Sequence, residues 1–107
     1  MGLFDFLSAR AKATALYQRG MDKVKAGDRA GAVADYSAVV ANRRCPEDVK
    51  AMALFNRGLA YYLEEDLPNA QKDFETVASM SGAPSNVASA ARDKLNRMKS
   101  RKDRAAE

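Results

Sequence analysis

The sequence of 107 residues predicts an all-α fold, built as an α-solenoid of antiparallel helix hairpins with about five helices. Three observations predict it. Apolar residues recur three and four apart through most of the chain, the spacing of one helix face. No alternating apolar–polar run competes as a strand. The chain also repeats itself at a shift of 38 residues.

The repeat is direct. Ala13–Met21 (ATALYQRGM) falls on Ala51–Leu59 (AMALFNRGL), and further on Asp28, Ala32, Asp35, Tyr36 and Val39 fall on Asp66, Ala70, Asp73, Phe74 and Val77. Over residues 13–42, nine of thirty positions are identical, so the unit is a structural one. A third copy begins, with Pro46, Val49 and Ala53 meeting Pro84, Val87 and Ala91, and then fades. The expected organisation is an apolar segment 1–7, repeat one over 8–45, repeat two over 46–83, a capping helix over 84–101 and a charged tail 102–107.

Each element has a local cause. The first helix is expected over 8–26, with Ser8 as N-cap. Gly27-Asp28 breaks it, and Asp28 caps a second helix over about 29–42. Pro46, Glu47 and Asp48 form the first turn of a third helix reaching 64, because proline fits a helix start and carboxylates suit its positive end. Asp66 caps a fourth over about 67–80, with Pro68 near its start. Ser81-Gly-Ala-Pro84 ends that helix, and Ser85 to about Arg101 forms the fifth, whose stripe Val87, Ala91, Leu95 and Met98 closes the open end. Gly20 and Gly58 sit inside helices, where each costs about 0.5–1 kcal/mol relative to Ala. The repeated cost predicts close helix approach, each glycine facing Ala32 or Ala70 on its partner helix.

These residues carry a resemblance. Leu16, Gly20, Asp28, Ala32 and Tyr36 in one unit, and Leu54, Gly58, Tyr61, Asp66, Ala70 and Phe74 in the other, resemble the tetratricopeptide repeat family over about residues 13–100. The run Ala53–Tyr62 (ALFNRGLAYY) is especially similar to it. The family's period is 34, so four extra residues lie between units here, and Lys23 stands where Tyr61 provides the family's aromatic. The resemblance implies an inner face, lined by the first helix of each unit, that holds a peptide or partner helix. By register its lining is Tyr17, Gln18, Met21, Val24 and Lys25, then Met52, Phe55, Asn56, Leu59, Tyr62 and Leu63; the alternative is that these residues are core, covered by the N-terminal segment or the fifth helix. The family's carboxylate clamp is mostly missing, since Tyr17 and Met21 stand where Lys and Asn belong, so an acidic peptide terminus is not the expected ligand.

Composition excludes other classes. Without His, and with Cys45 as the lone cysteine, neither a transition-metal cluster nor a Ser–His or Cys–His nucleophile can form, so no enzyme activity and no cofactor is expected. A single thiol makes no internal disulfide, which fits the reducing cytoplasm. No run of about 18 apolar residues spans a bilayer, and Met1–Leu7 lacks the cationic start of a secretory signal. The net charge of +4 belongs wholly to residues 92–107, with seven basic and three acidic side chains; residues 1–91 are neutral. No aromatic residue stacks on bases in that stretch, so a solvated helix end is expected there rather than a nucleic-acid interface.

Three features remain. Arg19 and Arg57 recur with Asp35 and Asp73, and the shared period predicts structural ion pairs, with both arginines partly buried, rather than a ligand clamp for carboxylate or phosphate. Cys45 follows two arginines near a helix start, a setting that lowers a thiol pKa, yet with no His nearby it reads as structural. Leu3, Phe4, Phe6 and Leu7 are expected to pack on the chain's own fold or a second copy, with contact at a membrane surface the weaker reading. The partner expected is another protein or peptide segment, or a homodimer, and the role is that of an adaptor or scaffold.

Overall fold

The computed structural model describes residues 2–106; Met1 of the apolar segment and Glu107 of the charged tail lie outside the described residues. Among the described residues the chain is all-α, with five helices in order: α1 (Leu3–Lys25), α2 (Arg29–Ala41), α3 (Glu47–Leu63), α4 (Leu67–Ser79) and α5 (Ser85–Ala106). The repeat governs these boundaries to the residue. Shifted by 38, α2 becomes α4, the last residue of α1 becomes the last of α3, and the first of α3 becomes the first of α5.

Local chemistry explains that agreement. The Asp28 carboxylate accepts from the Gly31 amide at 2.9 Å, and Asp66 accepts from the Asn69 amide and, at 2.7 Å, from the Asn69 side chain. These caps satisfy helix-start donors that have no partner inside the helix. The hairpin turns also match: Gly27 and Glu65, equivalent positions, both have left-handed φ, +83° and +62°. Pro46 is the N-cap of α3 rather than part of its first turn.

Two ends differ from expectation. The first helix starts at Leu3, with Gly2 as N-cap, and Ser8 lies inside it. Leu3–Leu7 contain neither Gly nor Pro, so no breaker before Ser8 stops the helix from growing backwards. Asp5, in the first turn, accepts from the Gly2 amide at 3.4 Å and suits the positive end of the dipole. The fifth helix likewise continues past 101 to Ala106, through residues that favour helix and with basic side chains near its negative end.

Each helix packs against its neighbour in sequence, and the odd helices also meet: α1 touches α3, and α3 touches α5. The helices α2 and α4 do not meet. One face of the slab, which measures 57 × 31 × 18 Å, is therefore lined by α1, α3 and α5, while the even helices splay on the other. Two buried clusters hold it. Ala13, Ala32, Tyr36, Val39, Cys45, Val49 and Ala53 form the first, and Leu54, Ala70, Phe74, Val77 and Ala91 the second, with Val40 packed against both. The α5 stripe Val87, Ala91, Leu95 and Met98 joins the second cluster as expected.

The glycines do permit close approach, but toward a different neighbour. A Cβ on Gly20 would lie 2.6 Å from the Tyr36 ring, and one on Gly58 2.7 Å from the Phe74 ring. The aromatic of the second helix, not Ala32 or Ala70, fills the space. A flat ring needs a bare backbone opposite it, and glycine supplies one.

Candidate functional site

Beside the glycines sit the repeated ion pairs. Arg19 donates from Nε and Nη2 to the two carboxylate oxygens of Asp35, at 3.0 and 2.8 Å. Arg57 grips Asp73 in the same way, at 2.8 and 2.7 Å. Both carboxylates are buried, so they need these donors. Lys23 adds a contact to Asp35 at 3.0 Å, whereas Arg57 also donates to Ser37 of α2 at 3.1 Å and stacks over Tyr61. The Arg19 hydrogen bond leads the forces that hold the Asp35 carboxyl down at about 2, with help from Lys23 and against the pull of burial. The expectation that both arginines are partly buried holds for one alone: the Arg57 side chain is 19% exposed and Arg19 63%. Neither guanidinium is left without a carboxylate, so the clamp for an outside anion is not formed.

The odd helices are joined by polar contacts. Asn56 donates from its side-chain nitrogen to the Tyr17 hydroxyl at 2.8 Å and to the Met52 carbonyl at 3.0 Å. Arg10 of α1 donates to both oxygens of Asp48 in α3. Burial pushes the Tyr17 hydroxyl above its ordinary value, against the opposing effect of Asn56. Tyr17 therefore remains neutral at any physiological pH and holds this contact.

The expected lining residues divide into four groups. Met21, Val24, Lys25, Asn56, Leu59 and Leu63 come together around a cleft of about 220 Å³ between α1 and α3. Tyr17, Met52 and Phe55 belong to the margin of the core; the Tyr17 ring lies 5.8 Å from Tyr36 and the Phe55 ring 5.6 Å from Phe74. Tyr62 is covered by α5, with Lys94 and Arg101 over its ring and the Arg101 guanidinium bonded to its hydroxyl. Gln18 is exposed and stands apart from the cleft. Three cleft residues escaped the sequence reading: Arg29, Tyr36 and Ala60. Ala60 carried a signal, as a small residue one position after Leu59; Tyr36 reaches the cleft through its contact with Gly20, which spacing did not reveal.

The repeat explains why the cleft stands open where it does. Val24 occupies the position that Tyr62 holds one unit later. Between α3 and α5 the tyrosine ring lies under Lys94 and Arg101; between α1 and α3 the smaller valine stays exposed beside the cleft. Val24 stays exposed, and so does Leu63, at 55%. The cleft is therefore apolar in its floor and walls, with Lys25 and Arg29 among its lining and Arg29 bonded to Glu64 at 3.4 Å. A second depression of about 290 Å³ lies between the first turns of α1 and Arg44, but Phe6 is its single large apolar wall.

One further expectation is corrected in part, and Cys45 fits its reading as a structural thiol. Leu3, Phe4, Phe6 and Leu7 do not pack on the chain's own fold: all four are exposed, Phe4 at 85%, on turns of α1 that project beyond α3. Cys45 is buried, and burial pushes its thiol up instead of down, so the neighbouring arginines do not activate it. Among the described residues no helix is long and apolar enough to cross a membrane. No protein-family model, no curated protein and no solved structure matches the chain.

Proposed function

We propose that this chain is a tetratricopeptide-like interaction module that binds an apolar or amphipathic segment of another protein in the cleft between α1 and α3. The observation that carries the reading is the vacant cleft itself. Met21, Val24, Leu59 and Leu63 surround it with apolar surface, while one repeat later the equivalent Tyr62 is covered by Lys94 and Arg101. A side chain buried fully there gains about 1.5–3 kcal/mol. Two or three anchors, less the cost of ordering and association, correspond to micromolar binding. Helix-in-groove recognition of this kind uses anchors spaced three and four apart on the guest. The lone, buried Cys45 fits a reducing, cytoplasmic setting.

A second reading, a structural subunit that buries these surfaces on assembly, draws on the exposed Leu3, Phe4, Phe6 and Leu7. The cleft reading is tested by selecting amphipathic helical peptides from a displayed library on the full chain and titrating them against wild type and Val24→Tyr. The tyrosine is already tolerated at the equivalent position, so helical content should not change. Micromolar binding by wild type and at least a tenfold loss in Val24→Tyr is the expected result. Peptides that bind both proteins equally would remove the cleft from consideration.

A further inference from the structure

The surface around the cleft carries cations that the chain's own carboxylates leave unanswered. Lys25 lines the cleft itself. Lys94 and Arg101 of α5 stand over the Tyr62 ring, 5.7 and 5.8 Å from its centre. Tyr62 is next in sequence to Leu63, which lines the cleft, so one flank of α3 carries the cleft and the other the two α5 cations. The ion pairs among the described residues leave all three cations aside. The Arg101 guanidinium bonds a neutral hydroxyl, that of Tyr62, in place of a carboxylate.

The acids close by do not change this balance. No carboxylate lines the cleft, Asp48 is engaged by Arg10, and Glu64 by Arg29. The whole net charge of +4 lies on residues 92–107, on the helix that borders α3 on this side. A guest approaching the cleft therefore meets a positive field with an apolar floor beneath it. Both features select for the same guest. A helix is about 10 Å across with its side chains, and packed helices lie about 8–10 Å apart. A guest helix seated over α1 and α3 thus sets one flank above Tyr62, beside the long side chains of Lys94 and Arg101. Nucleic acid suits the site less well: it has no apolar side chain for the cleft, and the Tyr62 ring is already covered by cations.

We infer that the guest of the cleft is an acidic amphipathic helix of another protein. Its apolar stripe enters between α1 and α3, and carboxylates along one flank meet Lys94 and Arg101, with Lys25 at the other edge. The inference rests on the binding-module reading and adds the chemistry of the partner. Exposed ion pairs are individually weak and screened by salt, so the apolar anchors supply most of the affinity and the carboxylates choose among guests.

A displayed library of amphipathic helices, selected on the full chain, tests this. Leucine or phenylalanine is fixed at the anchor positions, and the flanking positions vary among Glu, Gln and Lys. Binders of wild type should be enriched in Glu along one flank. Changing those Glu residues to Gln should weaken a binder about three- to tenfold, and less at about 0.5 M salt. Lys94→Glu with Arg101→Glu alters residues that pair with no carboxylate, so helical content should persist while the preference moves to Lys flanks. Binders without a flank preference would overturn the inference and leave the cleft reading standing. A Glu preference that survives the double reversal would overturn it too. So would a single-stranded RNA that binds more tightly than every peptide, since the cations would then serve phosphate. If no peptide binds, or if binders ignore Val24→Tyr, the cleft reading itself fails and takes this inference with it.

Discussion

The Phe74 ring lies so close over Gly58 that a methyl group on the glycine would come within 2.7 Å of it. Tyr36 stands over Gly20 in the same way, so one contact, made twice, sets how tightly each hairpin closes. Gly58→Ala should therefore destabilise the chain even though alanine favours helix. Overpacking costs about 1–3 kcal/mol against a gain of about 0.5–1 kcal/mol, a net loss centred on about 1 kcal/mol. Thermal unfolding should show a melting point about 4–8 °C lower. A more stable Gly58→Ala would mean that the ring moves aside freely. Gly58→Leu, with far more bulk, should lose several times as much.

The two ion pairs should respond unequally. Arg57→Met strands the buried Asp73 and removes the link to Ser37 of α2. A loss of about 2–3 kcal/mol in urea unfolding is expected, toward the lower end for a broken buried pair because the arginine is partly exposed. Arg19→Met should cost less, because Lys23 remains 3.0 Å from Asp35. Equal losses would show that Lys23 does not stabilise that carboxylate.

Acid should weaken the Asp35 pair. Its folded pKa of about 2 lies below the ordinary 3.8, so the unfolded chain takes up the proton more readily. The stability this contributes is fully present above about pH 4 and is lost as the pH falls toward 2. Asp48, lowered by its hydrogen bonds from Arg10, acts in the same direction. Asp35→Asn should be less stable at pH 7 and show a shallower decline between pH 4 and 2 by circular dichroism. An unchanged slope would mean that other carboxylates govern acid unfolding.

Glu65 has the left-handed conformation that Gly27 adopts at the equivalent turn. A side chain there costs about 1–2 kcal/mol, and glycine would return about 0.5–1 kcal/mol of that in lost chain freedom. Glu65→Gly should thus stabilise by up to about 1 kcal/mol, while Gly27→Ala should destabilise by a similar amount. A rise and a fall in the urea midpoint, respectively, would confirm the pair.

The sequence by itself determined what neighbours along the chain decide. Asp28 and Asp66 cap because their carboxylates reach amides three residues on, and Arg19 and Arg57 find Asp35 and Asp73 because a fixed hairpin length brings them level. Those relations repeat every 38 residues, so the sequence carries them openly. Tertiary structure decided what depends on the neighbour in space. Arg19 and Arg57 have the same local sequence, yet Arg57 is covered and Arg19 is not, because α2 lies beside Arg57 and gives it Ser37 as a partner. Val24 and Tyr62 share a register, but α5 lies over the tyrosine while the groove at valine stays vacant. Gly20 faces Tyr36 rather than Ala32, a choice made by how the helices cross and not by spacing. The exposure of Leu3, Phe4, Phe6 and Leu7 needed the three-dimensional outcome as well, because no other helix covers the first turns of α1.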